Sequence, residues 1–310
     1  MDTTLQIPTN NLRSIVAATD FSANASPALE WAQEIAADHQ ARLHIVNASK
    51  LAGWSTDYLE IDARIPPQIR SATRDKLEDL AKTLRQRGIQ VSCEVCLGEP
   101  CDIILATAEA RQADLIVVGT RGQRGLDYLL LGSTAQRVVQ RAPSPVLTVH
   151  PQDAENQRPI RKVLVATDFS VEAESALTAA LDLFSVSPTD IEIILLHAYL
   201  VPYDLVGTEG VVSAAAGLEQ WQTAQADVEQ RLDSLAEPLR ALGMSVQILG
   251  FEGYPPEIII DKAQDNGVDL IVMGTHGRTG LRHVLLGSTA ERVIHRASCP
   301  VLTVRRSHRD

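Results

Sequence analysis

The stretch Gly274-Thr-His-Gly277-Arg-Thr-Gly280-Leu-Arg-His-Val-Leu-Leu-Gly287-Ser288 decides the fold of this chain. It follows Asp269-Leu-Ile-Val-Met273, a short apolar run that predicts a buried strand, and precedes Thr-Ala-Glu-Arg-Val-Ile, which predicts a helix. A glycine-rich loop leading from a strand into a helix is a common backbone solution for holding phosphate. Its fixed positions are G-x2-G-x9-G-S. The same pattern stands earlier in the chain at Gly119, Gly122, Gly132 and Ser133.

Working outward from the two loops exposes a duplication. Aligned without a gap, Asp114 to Val149 and Asp269 to Val304 are identical at 24 of 36 positions, which chance cannot produce. The halves also start alike, as Ile15-Val-Ala-Ala-Thr-Asp20-Phe-Ser22 and Val163-Leu-Val-Ala-Thr-Asp168-Phe-Ser170. Between them Pro151 to Pro159 is polar and bracketed by prolines. This predicts domains at 10–150 and 161–306 joined by a linker over 151–160.

Within each half strands and helices alternate. In the first, strands are expected over 13–18, 42–48, 90–97, 115–118 and 145–149, with helices over 26–38, 68–87 and 101–111 and after Ser133. The apolar stripe of the first helix is Ala28, Trp31, Ala32 and Ile35, and that of its counterpart is Ala173, Ala176, Leu177, Ala180, Leu181 and Phe184. Such alternation predicts an α/β fold: two tandem doubly wound domains, each a five-stranded parallel sheet with helices on both faces. The order taken for each sheet is 3-2-1-4-5.

Composition narrows the function classes. Aromatics make up only 4% of the chain, so the cores must be built from Val, Ile, Leu and Ala, as in parallel sheets. A net charge of -11 argues against nucleic acid or an anionic membrane as partner. The start of the chain lacks the charged and apolar regions of a signal peptide, and no apolar run approaches the ~18 residues that span a bilayer. A cytoplasmic protein is expected. Cys93, Cys96 and Cys101 form no zinc set, and His150, His295 and His308 show no metal spacing; His44 and His197, on or at the end of the second strands, read as packing or polar edge residues. No metal site and no catalytic residue is expected.

In a doubly wound sheet, ligands bind beyond the carboxyl ends of the strands, where strand order reverses. Asp20 and Gly119 would meet there in the first half, Asp168 and Gly274 in the second. Glycines let the backbone approach an anion, and the first amides of the following helix favour negative charge. Ser133 and Ser288 could donate hydroxyls to phosphate, with Arg121, Arg124, His276 and Arg278 as cationic groups. Asp20 and Asp168 would repel phosphate and suit a ribose hydroxyl, an adenine edge or a bridging Mg²⁺. Plainer readings stand beside these. Ser133-Thr-Ala-Gln136 and Ser288-Thr-Ala-Glu291 also spell capping boxes, each Asp could cap the helix that follows, and the loop could be a tight turn. The same conjunction in the same order twice favours a ligand.

These residues resemble the universal stress protein family over nearly the whole of both halves. The Thr-Asp-Phe-Ser strand ends, Gly98-Glu-Pro100 and Gly253-Tyr-Pro255, G-x2-G-x9-G-S and the closing Pro-Val-Leu-Thr-Val strands carry the resemblance. It implies membership of the nucleotide-binding subgroup, and so an adenine nucleotide partner: ATP, with Mg²⁺ as an option. By position it implies adenosine contacts at Ala18, Asp20 and Ala48, and loop contacts at Val118, Gly119, Arg121 and Gly122. Gly132, Ser133 and Thr134 would meet the phosphates. In the second half the positions are Ala166, Asp168 and Ala198, then Met273, Gly274, His276 and Gly277, then Gly287, Ser288 and Thr289. Some ATP-binding relatives have proline where Ala18 and Ala166 stand, a departure at the adenine wall of both sites. Arg121 stands where the second half has His276, so the sites are expected to differ in affinity.

The resemblance further implies that Val146–Val149 and Val301–Val304 meet as an intramolecular pseudo-dimer, and it leaves a homodimer open. The implied role is a nucleotide-dependent regulator or sensor in stress response. Two other classes stand beside it: a slow ATPase or nucleotidyl-handling enzyme, and an interaction module with vestigial sites. Against an enzyme, neither loop carries the Gly-Lys-Ser/Thr of a P-loop.

Overall fold

The computed structural model describes residues 12–49, 67–120, 131–156, 160–184, 190–200, 214–277 and 286–305; of these, 67–71, 154–156 and 214–220 are described by backbone alone. Arg121, Gly122, Arg124 and Arg278 lie outside the described residues, as do 50–66 and 201–213. In the first half the order is β1 (Ser14–Ala18), α1 (Ser26–Asp38), β2 (Arg42–Ser49), α2 (Pro67–Gln86), β3 (Val91–Leu97), α3 (Pro100–Ala110), β4 (Leu115–Gly119), α4 (Ser133–Arg141) and β5 (Val146–Val149). After a 3-10 turn over Pro151–Asn156 the second half repeats it: β6 (Lys162–Ala166), α5 (Val171–Leu183), β7 (Glu192–Tyr199), α6 (Ala214–Ala241), β8 (Ser245–Glu252), α7 (Pro255–Asp265), β9 (Leu270–Gly274), α8 (Ser288–Arg296) and β10 (Val301–Val304).

All ten strands form one sheet in the order β3-β2-β1-β4-β5-β10-β9-β6-β7-β8. Each half thus has the order 3-2-1-4-5, and every pair within a half is parallel. Helices cover both faces, which is why β1, β4, β6 and β9 are apolar without alternation. On one face Trp31, Ile35, Leu77, Leu84, Leu177, Leu232 and Leu239 pack onto Ile15, Ile45 and Leu195. On the other, Ile104, Val138, Val139, Ile259, Val293 and Ile294 pack onto Val16, Ile116 and Ile271. The α1 stripe is buried as its periodicity predicts. So is that of α5, except that Phe184 only packs against the edge of the core.

The halves join through β5 and β10, the one antiparallel pair among the described residues, with Leu147 directly opposite Leu302. The duplication makes this seam nearly symmetric. Thr148 Oγ1 donates to Val301 O at 3.0 Å, and Thr303 Oγ1 to Val146 O at 3.2 Å. Hydroxyls buried between two helical layers would cost stability without those bonds. Beyond the strands, His150 Nε2 donates to Ile294 O at 2.8 Å, and Arg305 Nη1 to Gln140 O at 2.9 Å, so each half caps a helix of the other. The 3-10 turn is pinned where it leaves the sheet, because buried Asp153 accepts His150 N at 2.7 Å. Under the opposite face His39 Nε2 bonds Leu183 O at 3.0 Å, which brings the ends of α1 and α5 together.

Each half also fastens its first strand in the same way. Asp114 Oδ2 accepts the amides of Arg13 and Ser14 at 2.7 and 2.9 Å, and Asp269 Oδ2 those of Arg161 and Lys162, both at 2.9 Å. Asp182, at the end of α5, is less well placed. Burial, and then the charge of Asp114, push its carboxyl up from the ordinary 3.8 to about 6.

Two predictions follow from the seam and its surroundings. Leu302, 1% exposed, should cost about 2–4 kcal/mol as Leu302→Ala, read as a lowered urea midpoint with helix content retained. Because the folded-state pKa of Asp182 is raised, its stabilising contribution is complete below pH 3.8 and is lost as pH rises through about 6. Asp182→Asn should therefore flatten the fall in stability between about pH 4 and 7; an unchanged slope would contradict this assignment.

Candidate functional site

The strand order puts the reversal between β1 and β4 in the first half and between β6 and β9 in the second. Doubly wound sheets take their ligands in the crevice beyond the carboxyl ends of the strands at that point. Its floor is small and apolar. Ala166 lies beside Met273 in register, and both belong to the core on the α7 and α8 face. Val118 is buried in the same layer of the first half, with Ala18 and Ala48 packed at its edge. Ala198 stands in register with Phe251, which packs on that face too.

From β1 and β6 the chain turns through Thr-Asp-Phe-Ser. Thr19 N and Thr167 N still extend the sheet, donating to Val46 O and Leu196 O at 3.0 and 2.8 Å. Their own carbonyls are caught by the second strands, Thr19 O by Asn47 Nδ2 at 2.9 Å and Thr167 O by His197 Nδ1 at 2.6 Å. The threonine hydroxyls accept Phe21 N and Phe169 N at 3.1 and 3.0 Å. These bonds hold Phe21 and Phe169 in the left-handed region, at φ 58° and 60°. A bulky residue there costs of order 1–3 kcal/mol, a strain that surrounding structure must hold in place.

The strained turn aims the aspartates. Asp20 Oδ1 accepts Ser22 N and Ser22 Oγ at 2.9 and 2.6 Å, and Asp168 Oδ1 accepts Ser170 N at 3.0 Å. Neither aspartate is the cap of the next helix: Ala25 precedes α1, and Ser170 caps α5 by accepting Ala173 N at 3.3 Å. The second oxygen of Asp168 faces the glycine loop. A Cβ added to Gly277 would stand 2.8 Å from Asp168 Oδ2, so the two sides of the crevice do meet.

Both loops begin and end at one point. Thr120 N and Thr275 N donate to the last residues of the neighbouring strands, Val149 O and Val304 O, each at 2.9 Å. The same threonines then accept, from across the loop, Gly132 N at 2.7 Å and Gly287 N at 2.9 Å. Gly287 has to be glycine, since a Cβ would lie 2.8 Å from Thr275 O. The Thr120 hydroxyl is buried without a hydrogen-bond partner among the described residues, whereas Thr275 Oγ1 bonds His276 Nδ1 at 3.0 Å.

The capping boxes are not formed. Gly132 and Gly287 are the N-caps of α4 and α8, with no side chain to offer, so Ser133 and Ser288 are first helical residues and do not cap. Both serines are exposed at the helix start. The first intrahelical amides are Gln136 N and Glu291 N, donating to Gly132 O and Gly287 O at 3.0 and 2.9 Å. The three amides before each lie ahead of the hydrogen-bonded ladder and point out of the helix end. Thr134 and Thr289 sit among them, half-buried. Gln136 and Glu291 bond each other at 2.9 Å, and not their own caps.

The topology places Ala18, Asp20, Ala48, Val118, Gly119, Gly132, Ser133 and Thr134 at or just beyond the carboxyl ends of β1, β2 and β4 or at the start of α4. Ala166, Asp168, Ala198, Met273, Gly274, His276, Gly277, Gly287, Ser288 and Thr289 take the matching places in the second half, where Gly277 and Asp168 lie side by side. Arg121 and Gly122 fall outside the described residues. Sequence periodicity missed Asn47, the strained backbone of Phe21 and Phe169, and the role of His197, which reads as a packing residue until its bond to Thr167 is seen. Among the described residues no three of His, Cys, Asp or Glu cluster as metal ligands. Burial pushes the thiol of Cys96 up to about 11 and that of Cys299 up to about 12, the pattern of inert rather than reactive cysteines. No helix among them is long and apolar enough to cross a membrane.

Comparison with known proteins agrees with this architecture. A universal stress protein of Mycolicibacterium smegmatis is 26% identical over 305 residues, 94% of this chain and 96% of its own. One from Methanocaldococcus jannaschii is 32% identical over 158 residues, 48% of this chain and 96% of its own. The crystal structure of a universal stress protein from Archaeoglobus fulgidus superposes with a TM-score of 0.68 at 24% identity, covering 94% of this chain and 98% of that one, a likeness of fold. The profile of the universal stress protein family matches twice, over residues 11–150 and 159–305, and the chain belongs to that family as a tandem of two such domains.

Proposed function

We propose that each half, 10–150 and 161–306, binds one molecule of ATP, and that occupancy makes this chain a nucleotide-dependent regulator of a cytoplasmic stress response. The observation that carries the reading is the start of α4 and of α8. Glycine N-caps leave the Ser133 and Ser288 hydroxyls and the first three amides of each helix outside any capping arrangement. Oriented donors at a helix N-terminus, with the helix dipole behind them, suit phosphate. The small apolar floor suits a planar base, and Asp20 and Asp168, held at the far side of the glycine loop, suit a ribose hydroxyl.

The residues fit holding better than turnover. In this reading the serines, the threonines that follow them and the helix amides hold the phosphates, the aspartates orient the ribose, and the alanines with Val118 and Met273 pack the base. No nucleophile with a positioned base is assigned.

Titration calorimetry of the full chain with ATP, with and without Mg²⁺, should give close to two sites. Gly277→Val forces a side chain against the Asp168 carboxylate and should leave one site with the fold intact. Ser288→Ala should weaken the second site by about ten-fold, the worth of one hydroxyl bond to a charged group. Failure of the unmodified chain to bind ATP saturably at millimolar concentration would sink the proposal. Multiple-turnover phosphate release that disappears in Asp168→Ala would make the protein a hydrolase instead.

A further inference from the structure

The backbone that enters α4 is held from both halves of the chain. Gly132 N is bonded by Thr120 O of its own half, at 2.7 Å. The preceding amide, Leu131 N, donates to Nδ1 of His295, 3.2 Å away on α8 and 164 residues later. Leu131 is buried, so this amide has little access to water as an alternative partner. Because the donor is a backbone N–H, Nδ1 must carry a lone pair, and in the neutral ring the proton then sits on Nε2. Two consecutive amides are thereby fixed just before the three that open at the helix start, and their bonds set the direction in which Ser133 and Thr134 are presented.

A second contact ties the same region to α8. Gln136 Nε2 donates to Glu291 Oε1 at 2.9 Å, joining the first turns of the two helices. These residues are counterparts in the duplication, so that contact is symmetric. The histidine contact is not. The alignment that matches Gln136 with Glu291 places Gln140 where a second copy of His295 would stand.

We propose that His295 is a positioning residue for the phosphate end of the first-half site, which is therefore built in part by the second half of the chain. This rests on the nucleotide reading of that site. Removing the acceptor frees the peptide before Gly132, loosens the alignment of the helix amides and weakens the first site, while leaving its Asp20 side unchanged. The second site has no matching histidine behind Leu286 and depends less on its neighbour.

The test uses the full chain carrying Gly277→Val, so that ATP titration reads the first site alone. His295→Leu should weaken that site about five-fold, and His295→Asn, whose Oδ1 can take the place of Nδ1, should restore it to within about two-fold. Hydrogen exchange at the Leu131 amide should rise in His295→Leu and return in His295→Asn, with global melting unchanged. Unaltered first-site affinity in His295→Leu overturns the proposal. So does an equal loss in both variants accompanied by a lower melting temperature, which would mark His295 as a packing residue only. If the Gly277→Val parent itself binds no ATP, the nucleotide reading falls and this one with it, an outcome distinct from a parent that binds and does not respond to His295.

Discussion

The antiparallel pairing of β5 with β10 is the constraint on which the rest of the molecule depends. A five-stranded parallel sheet ending at β5 would expose a short, largely apolar edge, Val-Leu-Thr-Val, with unpaired backbone groups beside it. Its duplicate β10 has the same sequence and the same deficit. Turning one against the other satisfies both edges at once, and because the two are copies, one geometry of threonine bonds serves on each side. Among the described residues, helix-end contacts that cross between the halves, such as His39 with Leu183 and Gln136 with Glu291, lie where that pairing brings the two helical layers together.

The crevices inherit their form from the same economy of repeated parts. Each pairs a strained turn, in which a phenylalanine is forced into a left-handed conformation, with a loop whose two ends are stitched to one threonine. The turn is held by three bonds that converge on Thr19 or Thr167, and this rigidity fixes one carboxylate oxygen in the turn while the other can face the loop. The floor, by contrast, is plain packing of small side chains over a continuous core.

Much of this was legible in the residues. Continuous apolar runs marked buried parallel strands, the stripe of Ala28, Trp31, Ala32 and Ile35 marked a helix over 26–38 that has those bounds in the structure, and alternation marked a doubly wound sheet, whose expected order 3-2-1-4-5 is the one found. Local pattern failed where geometry is decided by non-local partners. Ser133-Thr-Ala-Gln136 spells a capping box, yet the helix begins one residue earlier than that motif needs, because Gly132 is drawn to Thr120 and Gln136 finds Glu291 across the seam. His197 and His295 carried no spacing signal, since each acts on a backbone group, and backbone groups leave no trace in sequence.

The 3-10 turn that leaves β5, fastened by Asp153 to His150, has a consequence for how this protein can change over time. It keeps the two halves covalently near each other, so that β5 and β10 meet at a high effective concentration whatever the abundance of the protein. Identical subunits that pair by diffusion must keep a single sequence for both sides of their interface. A tethered pair is released from that requirement. Each side can accept substitutions its twin does not share, as Asn47 against His197 and Gln140 against His295 already show, and two sites that began as copies are free to become a dominant and a dependent one.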